Sequence, residues 1–224
     1  MFNFLWGLLF VAVNFALFLL VCRLFGKNGL YAWIGFVPLM ANIQVVKTIE
    51  MLGIVMTLGN TIFATLSMAT DLINEKFGQK AARQVVWIGF FSLVACTLIM
   101  QMVLAFEPQA EDLAQDAMET LFGLMPRVAA GSLTAYLVGQ FLDVRLFGAI
   151  RRKFSGERQF WIRVLGSTGV SQLADSVVFC AIAFTGLYST RVWLEIVLTT
   201  YLLKFIIAAA GTPVLYAARR FRLE

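Results

Sequence analysis

The sequence predicts an all-α fold, a polytopic integral membrane bundle of six to seven transmembrane helices, and three observations carry that reading. First, residues 2–22, 28–46, 51–70 and 84–106 contain no Asp, Glu, Lys or Arg. A helix crossing the bilayer needs about 20 apolar residues, so each run is long enough to span. Second, the 224-residue chain is 60% hydrophobic and 14% charged with mean hydropathy +0.83, more apolar surface than a soluble fold of this size can hide. Third, the basic residues cluster in alternate loops and the bias reverses between spans four and five, as bilayer topology favours.

Seven spans fit best, at approximately 3–25, 28–47, 51–75, 80–106, 120–150, 160–188 and 191–218, with six if the first or last fails to cross. The first span is not read as a cleavable signal, because its first charge, Arg23, follows the apolar stretch. Arg23 and Lys27 follow span one, and Lys76, Lys80 and Arg83 follow span three. Arg145, Arg151, Arg152, Lys153, Arg158 and Arg163 surround the turn after span five, and Arg219, Arg220 and Arg222 close the chain. Between spans four and five stand Glu107, Glu111, Asp112, Asp116 and Glu119, with no basic residue among them. Short cytoplasmic loops collect Lys and Arg, so the expected orientation is N-terminus outside and C-terminus cytoplasmic. The 107–119 segment suits a short amphipathic surface helix. Residues 1–224 then form a single transmembrane domain. The uninterrupted runs exclude the short alternating strands of an outer-membrane barrel. The net charge of +5 reflects membrane topology, so no nucleic-acid partner is expected; lipid is.

Several chemistries are excluded outright. The chain has no histidine, which removes His-Glu-x-x-His zinc hydrolysis and histidine proton relays. It has no Walker-type loop, so it does not hydrolyse ATP itself. Cys22, Cys96 and Cys180 fall inside apolar runs and read as small buried hydrophobes. No metal site and no cofactor are expected.

The informative residues are the few polar ones inside apolar helices, since a charge at membrane depth is costly and lines a polar site or pairs with another charge. Asp175 lies near the middle of span six in a stretch otherwise uncharged from Val164 to Thr190, and Lys204 lies near the middle of span seven. Glu195 precedes Lys204 by nine residues, on nearly the opposite helix face, so Lys204 needs a partner on another helix, and Asp175 is at similar depth. Gln140/Asp143 and Gln172/Asp175 each set an amide and a carboxylate three residues apart on one helix face. Asp71 and Glu75 form an i, i+4 carboxylate pair near the inner end of span three, where solvation at the boundary is the bland alternative. Asn42, Gln44 and Lys47 cluster near the outer end of span two. A carboxylate beside an amide suits a ligand edge presenting N–H donors next to a carbonyl, as guanine-like heterocycles do. The aromatics, 21 Phe among them, supply stacking faces. Gly131, Ala135 and Gly139 form a small-residue stripe on span five that lets a neighbouring helix approach and hold Gln140 and Asp143 against it. Pro213 is expected to kink the last span beyond Lys204.

These residues carry a family resemblance. Thr70-Asp71-Leu72-Ile73-Asn74-Glu75-Lys76-Phe77-Gly78, then Ala82-Arg83 and Val86-Trp87-Ile88-Gly89-Phe90, resembles the vitamin uptake transporter family. So do Ala135-Tyr136, Gly139-Gln140, Leu142-Asp143-Val144 and Phe147, then Ser167-Thr168, Ser171, Asp175 and Ile182-Ala183-Phe184. Trp193-Leu194-Glu195-Ile196, Tyr201 and Lys204 complete a series running in order from about Asn42 to Tyr216. The resemblance implies a bacterial inner-membrane importer of queuosine precursors, 7-deazaguanines such as 7-cyano-7-deazaguanine, for queuosine salvage. It also implies similarity to the binding subunits of energy-coupling-factor transporters, leaving uniport, proton symport and a separate ATPase module open. The competing reading is an intramembrane enzyme with metal held by Asp71 and Glu75. The substrate-binding set expected from sequence is Asn42, Gln44, Asp71, Glu75, Gln140, Asp143, Gln172, Asp175, Glu195 and Lys204. A homodimer is left open.

Overall fold

The computed structural model describes residues 2–45, 47–51, 54–109, 111–123, 126–186, 189–221 and 223. Helix α1 runs Phe2–Val45, followed by a hairpin of β1, Thr48–Met51, and β2, Ile54–Thr57. Helix α2 runs Gly59–Leu104, the short α3 Gln115–Met118 leads into a wide helical turn at Glu119–Gly123, and α4 runs Pro126–Lys153. A tight turn at Glu157–Gln159 precedes α5, Phe160–Phe184, and α6, Thr190–Arg219, completes the bundle.

Among the described residues five helices are long and apolar enough to cross a membrane, fewer than the six to seven expected. The difference lies in continuity. A straight 44-residue helix would be about 66 Å long, roughly twice the hydrocarbon thickness. Instead α1 turns back at Gly26 (φ 53°, ψ −131°) and α2 at Gly78 (φ 82°, ψ 174°), backbone conformations that essentially only glycine tolerates. The consequence is visible in side-chain contacts. Phe18 and Trp33 rings meet at 6.3 Å, although fifteen residues of straight helix would part them by about 22 Å. Tyr136 touches the Phe63 ring at 6.3 Å and donates to the Val86 carbonyl at 3.1 Å, two points on α2 that only a folded-back helix brings together. Counted by their arms, α1 and α2 supply four rods, and α4, α5 and α6 three more.

Residues 48–57 are a correction to the expected spans. Residues 48–51 and 54–57 pair as antiparallel strands, with Thr48 opposite Thr57 and Met51 opposite Ile54, where spans two and three were drawn almost continuous. The segment is rich in β-branched Thr, Ile and Val, which favour a strand over a helix start. Among the described residues of 107–119, expected as a surface helix, helix is confined to α3 and the start of the wide turn at Glu119, and helix α6 continues through Pro213.

The bundle packs α1 against α2, α2 against α4, α4 against α5, and α6 against both α5 and α2. Leu5, Leu8, Leu98, Ile99, Leu198 and Ile206 face outward, while Asp71, Gln140, Asp143, Gln172 and Asp175 are buried. That polarity is inverted relative to a soluble protein and matches a lipid surround. Gly139 permits a close approach: a Cβ there would sit 3.0 Å from the Asp175 Cβ, so the small-residue stripe brings α4 onto α5.

The basic segments meet at one end. Lys27 N donates to Leu223 O at 3.0 Å, Trp161 N donates to the Tyr216 hydroxyl at 3.0 Å, and Arg219 reaches Glu75 at 3.1 Å. The acidic 107–119 segment follows the opposite end of α2. With Cys22, Cys96 and Cys180 removed, an impermeant thiol reagent should label Ser155→Cys only from the cytoplasm and Ala114→Cys only from outside. Periplasmic labelling at 155 would overturn this orientation.

Candidate functional site

Three helices present hydrophilic stripes to one another. On α2, Ser67, Thr70, Asp71, Asn74 and Glu75 recur at helical spacing and all are buried. On α5, Ser167, Thr168, Ser171, Gln172, Asp175 and Ser176 do the same, and on α4 Tyr136, Gln140 and Asp143 complete the interface. Inward polar stripes at i, i+3, i+4 spacing were the signal available in sequence for Ser67, Thr70 and Ser171, which had not been singled out as ligands.

Hydrogen bonds fix the three faces in register. The Thr70 hydroxyl lies 3.1 Å from Gln140 Oε1, and Asn74 Nδ2 donates to Val144 O at 3.1 Å, locking α2 to α4. Ser171 Oγ donates to Asp143 Oδ1 at 2.9 Å, locking α5 to α4. Gln172 Nε2 donates to Ser67 Oγ at 3.2 Å, locking α5 to α2. Within this frame some acceptors have no hydrogen-bond donor among the described residues: both oxygens of Asp71, Asp143 Oδ2, Gln172 Oε1 and Ser176 Oγ. Asp71 is 1% exposed, so water at the protein surface does not serve it. Buried polar atoms are normally paired, so these acceptors are the groups here able to receive further hydrogen-bond donors.

Two ion clusters flank this core. Lys204 Nζ is bonded to Asp175 Oδ2, the partner expected for it, and also lies 5.1 Å from the Phe63 ring centre. Toward the basic end Glu75 receives Arg163 at 2.7 Å, Arg219 at 3.1 Å and Arg151 at 3.7 Å, guanidiniums from three different helices. Glu75 is therefore held in an arginine cage, neither solvated nor available with Asp71 as a metal-ligand pair. Arg163, counted from sequence as a loop charge, is wholly buried and also donates to Phe154 O at 2.7 Å and Gly156 O at 3.1 Å. Its signal was its position three residues inside a span.

The remaining expected residues lie apart. Glu195 is exposed and pairs with Arg191 at 3.3 Å on its own helix. Asn42 donates to the Pro38 carbonyl at 2.9 Å, a bond within α1, and Gln44, near the outer end of the same helix, is only partly buried. Of the ten expected ligands, Asp71, Gln140, Asp143, Gln172, Asp175 and Lys204 are brought together, and Glu75 adjoins them through its cage.

With this geometry in hand, comparisons with known proteins converge. A family model described as "Putative vitamin uptake transporter" matches residues 57–218. A "Probable queuosine precursor transporter" of Bacillus subtilis (strain 168) is 48% identical over 220 residues, 98% of this chain and 96% of that protein. The "Queuosine precursor transporter" of Escherichia coli (strain K12) is 28% identical over 171 residues, 75% of this chain and 74% of that protein. A "Probable queuosine precursor transporter" of Haemophilus influenzae (strain ATCC 51907 / DSM 11121 / KW20 / Rd) is 29% identical over 154 residues, covering 67% and 63%. No solved structure matches.

The Lys204–Asp175 contact makes a quantitative expectation. Breaking a buried pair on one side costs about 3–5 kcal/mol, while removing both charges is milder. Lys204→Met and Asp175→Asn should each lower the melting temperature of detergent-purified protein, and the double variant should recover part of the loss. Strictly additive losses would show that the two side chains do not interact.

Proposed function

Since the chain belongs to the vitamin uptake transporter family, we propose that it imports queuosine precursors, neutral 7-deazaguanines such as 7-cyano-7-deazaguanine, across the bacterial inner membrane for queuosine salvage. It is a multi-pass membrane protein. The observation that carries the substrate assignment is Asp71: a fully buried carboxylate that faces only the Asp143 acid and accepts from no amide, hydroxyl or cation among the described residues. A guanine-type edge offers a ring N–H and an amino N–H side by side, and a carboxylate accepts both at once. Gln172, whose Oε1 is likewise unpaired and whose amide N bonds Ser67, supports a second contact with the ring. Asp175, the carboxylate most prominent in sequence, already answers Lys204, so in this reading it braces the site from α6 instead of gripping the ring.

Transport follows from the depth and closure of these groups. The acceptors are sealed between α2, α4 and α5, and the basic end is closed by the Glu75 cage, which ties α2 to the ends of α4, α5 and α6. Substrate reaches Asp71 when the helices part on the outer side and leaves when the cage opens. Such alternation around a mid-membrane site is how many secondary transporters work. In this reading the buried groups hold and release a ring.

Labelled 7-cyano-7-deazaguanine should enter cells that cannot make it only when they carry this chain. Guanine-type analogues should compete, and adenine, with donor and acceptor reversed, should not, because sites built for hydrogen bonding reject mismatched edges strongly. Asp71→Asn should weaken binding by about ten-fold or more, in line with the roughly 1–3 kcal/mol cost of an unmatched buried polar group. Equal inhibition by adenine and guanine analogues, or unaltered binding by Asp71→Asn, would sink the assignment.

A further inference from the structure

An acid pair faces itself across the α2–α4 contact. The Thr70–Gln140 and Asn74–Val144 bonds, both 3.1 Å, bracket it: Asp71 follows Thr70, and Asp143 precedes Val144, so the two carboxyls stand opposite within hydrogen-bonding reach. Each residue is 1% exposed. Asp143 receives the Ser171 hydroxyl on Oδ1 and has the Ser167 hydroxyl within reach, while the group facing Asp71 is the Asp143 acid itself. Among the described residues no surrounding cation is paired with either acid, because each is drawn to another carboxylate. On α5 and α6, Asp175 and Lys204 neutralise each other. On α2 itself, Glu75 takes Arg151 of α4, Arg163 of α5 and Arg219 of α6. On α1, Lys27 lies at the basic end, 4.8 Å from the Phe77 ring centre.

Two carboxylates in contact, with no cation paired to either, do not both stay ionised in a medium where even one bare charge is costly. Two acceptor-only groups within reach of each other are bridged by one proton. We propose that Asp71 and Asp143 hold a single resident proton that stays through the whole transport cycle, making this chain a uniporter for its neutral substrate.

This rests on the substrate reading above and adds the energetics. A neutral ring brings N–H donors to Asp71 but no charge. Asp143 is then still without a cation, so the proton passes from its shared position to Asp143 Oδ2 and remains there; only one O–H bond is involved. When the ring leaves, the same proton is shared again. Loaded and empty carriers cross with identical charge, and no ion moves with the substrate. Net import follows the substrate's own gradient, sustained by whatever reaction consumes the ring inside the cell.

The test uses the full chain in proteoliposomes with labelled 7-cyano-7-deazaguanine. Substrate should equilibrate and undergo counterflow exchange, with no accumulation under an imposed proton gradient, sodium gradient or membrane potential. Raising the pH equally on both sides should slow exchange at least several-fold, because loss of the proton leaves two charges to be buried. Asp143→Asn, which mimics the permanently protonated acid, should exchange at a rate that no longer changes with pH, and Asp143→Glu should restore the dependence. Accumulation driven by protons or sodium would overturn the proposal, as would an Asp143→Asn profile parallel to wild type. If Asp143→Asn fails to fold, the wild-type gradient measurements decide alone. If the wild-type chain exchanges no 7-deazaguanine at all, the substrate assignment falls and this proposal with it; exchange with ion-driven accumulation leaves the former standing.

Discussion

The constraint on which this structure depends is charge balance at membrane depth. Lipid cannot solvate a bare ion, so each buried charge has to find its complement within the bundle. Lys204 finds Asp175 across α5 and α6, and Glu75 collects Arg151, Arg163 and Arg219 from three helix ends. These contacts tie together helices whose outer surfaces are equally at home against acyl chains and gain little hydrophobic energy by associating. Packing supplies the rest. Gly139 lets α4 lie close on α5, and without that approach the Ser171 hydroxyl would not reach Asp143 at 2.9 Å.

Against that balance the residue that stands out is Asp71. It is 1% exposed, has no cation of its own among the described residues, and faces only another acid, Asp143. It lies between Ser67 and Glu75 on a polar stripe, opposite Asp143 and near Gln172, with a salt-bridge cage on the basic side. In the proposed reading, selectivity comes from the acceptors at mid-depth and access from the arginines near the boundary.

Much of this was legible in the sequence. Uncharged runs located the rods because lipid tolerates few alternatives, and the Lys204–Asp175 pairing followed from depth alone. Other features were not readable that way. The hairpin at residues 48–57 is as apolar as a span, and hydropathy does not distinguish β-branched strand from helix. Gly26 and Gly78 resemble the other glycines until the backbone shows positive φ there. Arg163 looked like a loop charge because positive-inside counting ignores which way a boundary residue points. Asp175 drew attention through its isolation in a long uncharged stretch, whereas Asp71, with Glu75 four residues away, looked like a boundary pair. Only three-dimensional contacts reveal that Glu75 is neutralised by arginines and Asp71 faces another acid.

The most direct measurement is an experimental structure of the chain with 7-cyano-7-deazaguanine bound. The expected result is the ring between α2, α4 and α5, with its N–H edge within about 3 Å of the Asp71 carboxylate and the Lys204–Asp175 pair intact. A ring bound at Lys204 or in the Glu75 cage, with Asp71 still lacking a donor, would contradict the central claim.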